Sequence, residues 1–441
     1  MSASTATKPL SIGRIAFACT IGATIEWYDF FLYGSLASLV FNKLFFPAKD
    51  PAAATIMAYG AFAVGYLGRL LGGLLFGHFG DRIGRRRVLV ITLFLMGLST
   101  VGIGILPTYE TWGVMASLLL VVLRMVQGMS VGGEWGGAAL MAIEHAPPNL
   151  KGYYGSWPQI GVPVGLALGA GVVAFLNFLP EKSFLSWGWR VAYLVSVLLV
   201  AIGIYIRMRI LETPEFEQFR KKEKVAAVPL FEVLQKEPLH VLLGMGARYI
   251  EGLCFVTYGV FFIAYMTKYL NMPTSMALTG VVIACMIQAP LLIVFGWLSD
   301  KMSRRKLYIA AALTQAVLVF PAFWWLEAFK GSYWCWLALI VPFGIAYPAL
   351  YGPWPTLVSD LFSTRVRYTG ICLVYQGSGI FAVGIAPIIY ITLLGWGGNT
   401  PWYCCAYYVL VGIITALSVT AMRRPGTLAH AVLHAGPDTG V

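Results

Sequence analysis

The sequence predicts an all-α membrane protein of twelve transmembrane helices arranged as two pseudo-symmetric six-helix halves. Three observations carry this. First, 59% of the 441 residues are hydrophobic and only 11% are charged, against about 25% charged in a soluble protein. Second, apolar runs of about 20 residues, the length needed to cross a bilayer, recur along the whole chain. Third, two motifs of the first half return in the second at nearly one offset. So few charges could not cover a water-soluble fold of this size, and the same composition excludes disorder, collagen and coiled coil. The runs are continuous and not alternating, which excludes a β-barrel.

Polar, basic or Pro/Gly-bearing breaks fall near 47–52, 78–87, 107–112, 145–151, 180–188, 209–238, 269–274, 299–306, 328–333, 360–368 and 395–401. Eleven breaks separate twelve spans, numbered 1 to 12 in chain order. The expected organisation is an N-terminal segment at 1–14, a first half at 15–208, a linker at 209–238, a second half at 239–422 and a tail at 423–441. The linker is rich in Glu and Lys (EFEQFRKKEK) and reads as solvated and amphipathic. Such short connections leave no room for a soluble catalytic domain.

Loop charge gives the orientation, because cytoplasmic loops hold the excess of Lys and Arg. The termini and even-numbered connections hold 22 of the 31 basic residues, from Lys8 and Arg14 to Arg423 and Arg424, with Arg207 and Arg209 at the linker. The odd-numbered connections hold six: Lys43, Lys49, Lys182, Arg190, Lys268 and Lys330. Both termini and the linker are therefore expected in the cytoplasm. The net charge of +12 then reflects topology, and no nucleic-acid partner is expected. The first apolar run shows no small-residue cleavage site, so no removable signal peptide is read. Seven cysteines, mostly inside apolar runs and without a C-x-x-C pair, read as buried hydrophobes.

The break after span 2 reads Gly77-HFG-Asp81-Arg82-IG-Arg85-Arg86-Arg87, and the break after span 8 reads Gly296-WLS-Asp300-Lys301-MS-Arg304-Arg305-Lys306, at an offset of 219. Span 1 carries Glu26-WYD-Phe30-FL-Tyr33-Gly34, and span 7 carries Glu251-GLC-Phe255-VT-Tyr258-Gly259, at an offset of 225. Two homologous halves follow. That arrangement suits a carrier whose substrate binds between them near the bilayer midplane.

The G-x-x-x-D-R-x-G-R-R string after span 2, its degenerate copy after span 8, and Arg124-x-x-Gln127-Gly128 in span 4 resemble signatures of the major facilitator superfamily. EWYDFFLYG (26–34), GGEWGG (132–137), SWGWR (186–190), ETPEF (212–216) and TRVRYTG (364–370) further resemble the metabolite:H⁺ symporter family, which includes shikimate, 2-oxoglutarate, citrate and proline/betaine carriers. The resemblance spans nearly the whole chain. It implies the major facilitator fold, a monomer, and proton-coupled import of a small organic solute across the bacterial inner membrane. The proton gradient would drive it without any cofactor. One departure is Asp360-Leu361-Phe362-Ser363 before TRVRYTG, where a Glu-Leu-Phe-Pro-like run is usual. Asp keeps the charge, and the missing Pro loosens the start of span 11.

Several residues are candidates for chemistry. Asp81, Arg82, Arg85 and Arg86 recur at fixed spacing, with Asp300, Arg304 and Arg305 as their second-half counterparts. Topology needs basic charge but not an Asp four residues before an Arg pair. A carboxylate there can face the N-terminus of span 11 near Thr364, where the helix carries about half a positive charge. Glu144, at the end of span 4, and Arg365 complete this set, which reads as a cytoplasmic gate that favours the outward-open state.

Glu26, Asp29 and Arg124 fall near mid-membrane, where an ionisable group costs at least about 2.5–3.5 kcal/mol. Two readings stand: a fixed ion pair locking spans 1 and 4, and a proton switch in which a carboxylate, Asp29 before Glu26, is alternately protonated and paired with Arg124. Candidate solute contacts are Arg124, Arg248, Glu251, Tyr33, Tyr258, Gln159, Trp354, Tyr375 and Gln376; packing is the bland alternative for the aromatic ones. Glu134 reads as a packing and hydrogen-bonding residue, Arg69 as snorkelling or functional, and Gly161-x-Pro163-x-Gly165 as a bend.

No H-E-x-x-H, C-x-x-C or Walker motif is present, so an enzyme, a metal site and ATP-driven pumping are not expected. His430 and His434 in the tail make a weak metal pair. The favoured function is H⁺-coupled import of a small organic acid, with a zwitterionic osmolyte or polyol as the other substrate class. A proton-driven exporter and a membrane sensor remain as rivals.

Overall fold

In lipid every backbone polar group has to be satisfied inside its own element, and continuous apolar runs do this as helices. The computed structural model describes residues 11–47, 51–176, 178–208, 210–222 and 229–422, and they are almost wholly helical. The spans are Ile12–Leu36, Pro51–Ile83, Arg85–Ile105, Val114–Glu144, Lys151–Val173, Glu181–Met208, Pro238–Lys268, Thr274–Lys301, Arg304–Ala328, Tyr333–Ser359, Arg367–Trp396 and Trp402–Ala421. Eleven of these are long and apolar enough to cross a membrane. The other, Pro51–Ile83, has 33 residues, a rise of about 50 Å, and takes the second place in the order. The N-terminal segment 1–10 and the tail 423–441, with Lys8, Arg423, Arg424, His430 and His434, lie outside the described residues, as do Lys49, Arg209 and Lys224.

Within the first half, span 4 packs on spans 2 and 3, span 5 on span 1, and span 6 on span 3. The second half repeats this scheme, with span 8 on span 10, span 7 on span 11, and span 9 on span 12. The halves meet where span 2 lies along span 11 and span 5 along span 8. Small residues permit the closest approaches. A Cβ on Gly72 would come within 1.8 Å of the Met129 carbonyl, and one on Gly132 within 2.1 Å of the Arg69 carbonyl. Spans 2 and 4 are thus in backbone contact beside the charged residues they carry.

Three sequence expectations change. The linker is not simply solvated: it holds helices at Pro214–Lys222 and Pro229–Lys236, and Phe216 and Val233 are buried against the bundle. Arg207 is no loop charge, because it is buried in span 6 against Glu134. Gly161 and Gly165 serve packing, since a Cβ on either would strike span 1 at Ala23 or Trp27. The irregular turn lies just before them, at Trp157–Ile160.

Candidate functional site

On the side of the bundle that carries the basic loops, Asp81 accepts hydrogen bonds from the backbone amides of Tyr368 (3.2 Å) and Thr369 (2.8 Å) and from Thr369 Oγ1 (2.8 Å). The carboxylate of span 2 thus sits on the free amides at the start of span 11, where the helix dipole favours a negative charge. Arg85 donates to the Thr364 carbonyl at 3.1 Å and lies 3.5 Å from Asp81 and 3.4 Å from Glu144. It is fully buried, which a mere topology signal would not be. The anchoring helix end is at 368 and 369, not near Thr364; Thr364 supplies its carbonyl to Arg85 instead. Gly84, between spans 2 and 3, has φ +109°, a conformation that only glycine adopts readily. A Cβ there would also lie 2.1 Å from Glu212, whose carboxylate caps span 3 by accepting from the amides of Arg85 (3.1 Å) and Arg86 (3.2 Å).

The second half reproduces the contact. Asp300 accepts from the amides of Gly152 and Tyr153, both at 2.8 Å, at the start of span 5, and pairs with Arg304 at 2.9 Å. Arg304 also pairs with Asp360 at 2.8 Å, as Arg85 does with Glu144. Each half therefore places one carboxylate on a helix N-terminus of the other. A further chain of charges lies across the same surface: Lys151 to Glu215 at 2.6 Å, Glu215 to Arg367 at 2.5 Å, and Arg367 to Glu144 at 3.1 Å. Glu232 of the linker pairs with Arg365 at 2.9 Å. Burial pushes Glu215 up, but the bonds from Lys151 and Arg367 outweigh it and hold the carboxyl below its usual range.

Of the expected gate residues, Arg82 is exposed beside His78 and Arg305 lines an open groove, and neither is among these contacts. Arg86 instead donates to the Met208 carbonyl. The loop motif alone did not disclose Glu212, Glu215, Glu232, Lys151 and Arg367. The strings ETPEF and TRVRYTG already contained three of them.

Between the halves lies a cavity of about 250 Å³, walled largely by aromatic and aliphatic side chains, among them Trp27, Tyr66, Phe255 and Tyr375. Arg69 from the first half and Arg248 from the second reach its wall, with Glu251 and Gln376. Arg248 is firmly held. Its Nε is 3.0 Å from Glu251, its Nη1 donates at 3.1 Å to both the Tyr375 carbonyl and Ser378 Oγ, and its guanidinium lies 3.7 Å from the centre of the Tyr375 ring. Tyr347 donates to Glu251 at 2.8 Å, and Tyr375 stacks on Trp135 at 3.8 Å. Arg69 does not snorkel: it is 5% exposed and lies among Trp27, Phe30 and Tyr66, with Glu26 3.5 Å away.

Behind Arg69 a smaller pocket gathers Glu26, Asp29, Arg124 and Gln127. The sequence reading brought Asp29 and Arg124 together directly. Instead Gln127 stands between them, accepting from Arg124 and donating to Asp29 at 3.5 Å and to Thr100 at 2.9 Å. Thr100 donates to Asp29 at 2.6 Å. The partner of Glu26 is Arg69, and Arg124 lies over the Tyr33 ring at 4.0 Å.

Arg248, Glu251, Tyr375 and Gln376 line the central cavity as expected; Arg124, Tyr33, Tyr258, Gln159 and Trp354 are not among its lining residues. Tyr258 is fully buried against Phe262, Phe343 and Tyr408. Gln159 joins the halves, accepting from Trp135 Nε1 at 2.9 Å and donating to the Tyr351 carbonyl at 3.4 Å. Trp354 is buried beside Tyr308. Glu134 accepts a hydrogen bond from Thr92 at 2.8 Å, as expected, and is in addition ion-paired with Arg207. Sequence periodicity cannot tell a cavity-facing aromatic residue from a core one, since both are apolar and helical.

The comparisons with known proteins agree with this architecture. Residues 19–384 match the Major Facilitator Superfamily. The chain is 38% identical over 415 residues to the shikimate transporter of Escherichia coli K12, covering 93% of this chain and 94% of that one. It is 37% identical over 393 residues to the inner membrane metabolite transport protein YhjE of the same organism, covering 86% and 87%. It is 32% identical over 419 residues to that organism's proline/betaine transporter, covering 91% and 82%. Among solved structures, the proton:xylose symporter XylE bound to 6-bromo-6-deoxy-D-glucose superposes with a TM-score of 0.76 at 18% identity, covering 93% and 94%, a likeness of fold. A twelve-span membrane bundle of two six-helix halves, closed by paired carboxylate–helix contacts around a central cavity, carries these relationships: the chain is a multi-pass membrane transporter, not an enzyme, and belongs to the metabolite transporters of the major facilitator superfamily.

Proposed function

We propose that the chain is a proton-coupled symporter that imports a small organic carboxylate across the bacterial inner membrane by alternating access. The observation that carries this is the pair of arginines, Arg69 and Arg248, on the wall of an otherwise largely apolar cavity between the halves, with buried carboxylates directly behind. An apolar wall with a few placed charges binds and orients a small molecule, and a guanidinium matches a carboxylate. Glu26, Asp29 and Arg124 form the proton-coupling group, and the proton gradient drives transport with no cofactor.

The basic side of the bundle is the cytoplasmic side, with both termini there, in keeping with its excess of Lys and Arg. The Asp81, Asp300 and Glu144 contacts close that side and break when the halves rock apart. The molecule works as a monomer. The shikimate transporter among its relatives supports a carboxylate substrate. A zwitterionic osmolyte is the second reading, favoured by the aromatic faces beside Glu251, which could hold a quaternary ammonium.

The test is uptake in proteoliposomes under an imposed inward proton gradient. Labelled shikimate, 2-oxoglutarate, citrate, benzoate, proline and betaine are each measured with and without a protonophore. Protonophore-sensitive accumulation of an acid is the expected result. Accumulation of betaine or proline alone selects the second reading, and exchange that ignores the gradient removes proton coupling.

A further inference from the structure

We propose that Arg69 is the link between the substrate cavity and the buried carboxylate Glu26: an anion bound in the cavity takes the guanidinium, and Glu26 takes a proton in its place. This rests on the symport reading above and names the residue that couples its two halves.

Arg69 belongs to the walls of both spaces, the central cavity and the charged pocket behind it. Its polar contact with Glu26 is long, at 3.5 Å. The rings of Trp27, Phe30 and Tyr66 hold it at 5.2–5.7 Å. Such faces attract a cation without fixing its direction, so the guanidinium can turn between the two spaces while keeping their support. Glu26 is 1% exposed, and its second oxygen, Oε2, has no hydrogen-bond partner among the described residues.

The other ion pair on the cavity wall lacks this slack. Arg248 and Glu251 are 3.0 Å apart and tied further to Tyr347, Ser378 and the Tyr375 carbonyl. Asp29 is bonded through Oδ2 to the neutral groups of Thr100 and Gln127, and among the described residues no arginine donates to it. The charged groups facing Glu26 are Arg69 from span 2, Glu134 from span 4 and Arg207 from span 6, and the last two neutralise each other. When Arg69 turns to an anion, no unopposed positive charge remains at Glu26. An unpaired buried carboxylate is unfavourable, and a proton removes the penalty. The step balances. A hydronium ion from the outer solution gives its proton to Glu26 Oε2, an O–H bond forms there, and water is left. When the anion departs on the other side, Arg69 returns, the O–H bond breaks, and the proton goes to water on that side.

The experiment uses the full chain in proteoliposomes with shikimate as probe, comparing wild type, Glu26→Gln and Arg69→Lys. Gradient-driven accumulation, counterflow, and the pH dependence of shikimate binding by tryptophan fluorescence are measured. In the wild type, affinity rises as pH falls, because binding takes up a proton. In Glu26→Gln this dependence disappears, and accumulation falls by at least about tenfold while counterflow falls by less than about threefold, the split expected when coupling and not binding is lost. Arg69→Lys, which keeps the charge but not the two-pronged geometry, raises the KM for shikimate and flattens the same pH dependence. Glu26→Gln with the accumulation and pH dependence of the wild type overturns the proposal. Should Glu26→Gln fail to fold, a wild-type pH profile in Arg69→Lys overturns it equally. A wild type that exchanges shikimate but never accumulates it removes the symport reading itself, and that result is visible before any variant is made.

Discussion

Asp81→Asn isolates the contribution of one charge to the closed basic side. The side chain keeps its shape but turns an acceptor of three hydrogen bonds into a group with one acceptor oxygen and one amide. Its Oδ2 accepts from both Thr369 N and Thr369 Oγ1, so an NH₂ at that place faces the backbone donor, while an NH₂ at Oδ1 faces Tyr368 N. One backbone amide is lost in either orientation. A hydrogen bond to a charged acceptor contributes about 1.5–3 kcal/mol, and a charge at a partly buried helix N-terminus up to about 2 kcal/mol. These overlap, so a loss of about 2–4 kcal/mol is expected, or roughly 30-fold to several hundred-fold in the ratio of closed to open forms at 1.4 kcal/mol per factor of ten. Arg85 remains buried beside Glu144, so its neutralisation is incomplete and the fold survives.

The assay is pulsed electron–electron distance measurement with spin labels on Arg87→Cys and Lys306→Cys, exposed positions on opposite halves. The native cysteines are all buried, so the labels go to the introduced sites. Asp81→Asn moves the distribution to longer distances and slows uptake at normal membrane expression. An unchanged distribution with normal uptake would refute the reasoning, since the contact would then be worth too little to bias the halves.

Other outcomes follow from the same geometry. Asp300→Asn, which removes the repeat-related contact with Gly152 and Tyr153, lengthens the same spin-label distance, and the double variant with Asp81→Asn lengthens it further. Glu134→Gln leaves Arg207 buried without its carboxylate and lowers stability by about 3–5 kcal/mol, read as a fall in the thermal midpoint of the detergent-purified protein. Glu215 is held below the ordinary carboxylate range, so its contribution is present above the unfolded-state value of about 4.3 and is lost as pH falls through the lower folded value. The wild type therefore loses thermal stability in that acid window, and Glu215→Gln, already without the charge, loses less.

Much of this molecule was legible before any helix was placed. Hydrophobic run length gave the number of spans because a helix is the simple way to hide a backbone in lipid. The two offsets gave the halves, because homologous halves keep the residues that sit at equivalent ends. That Asp81 meets a helix start could be read from its motif, since a lone carboxylate among loop arginines needs a donor and a helix start provides one; the amides it meets, those of Tyr368 and Thr369, came from the packing. The partners of the buried charges were not legible in this way. Glu26 with Arg69, Glu134 with Arg207, and Gln127 with Asp29 join residues tens of positions apart. The choice among such partners depends on how spans 1, 2, 4 and 6 are rotated about their own axes. Nearly every face of these helices is apolar, so their periodicity carries little of that rotation. Close packing at Gly72 and Gly132, with the pairing of the charges themselves, sets it.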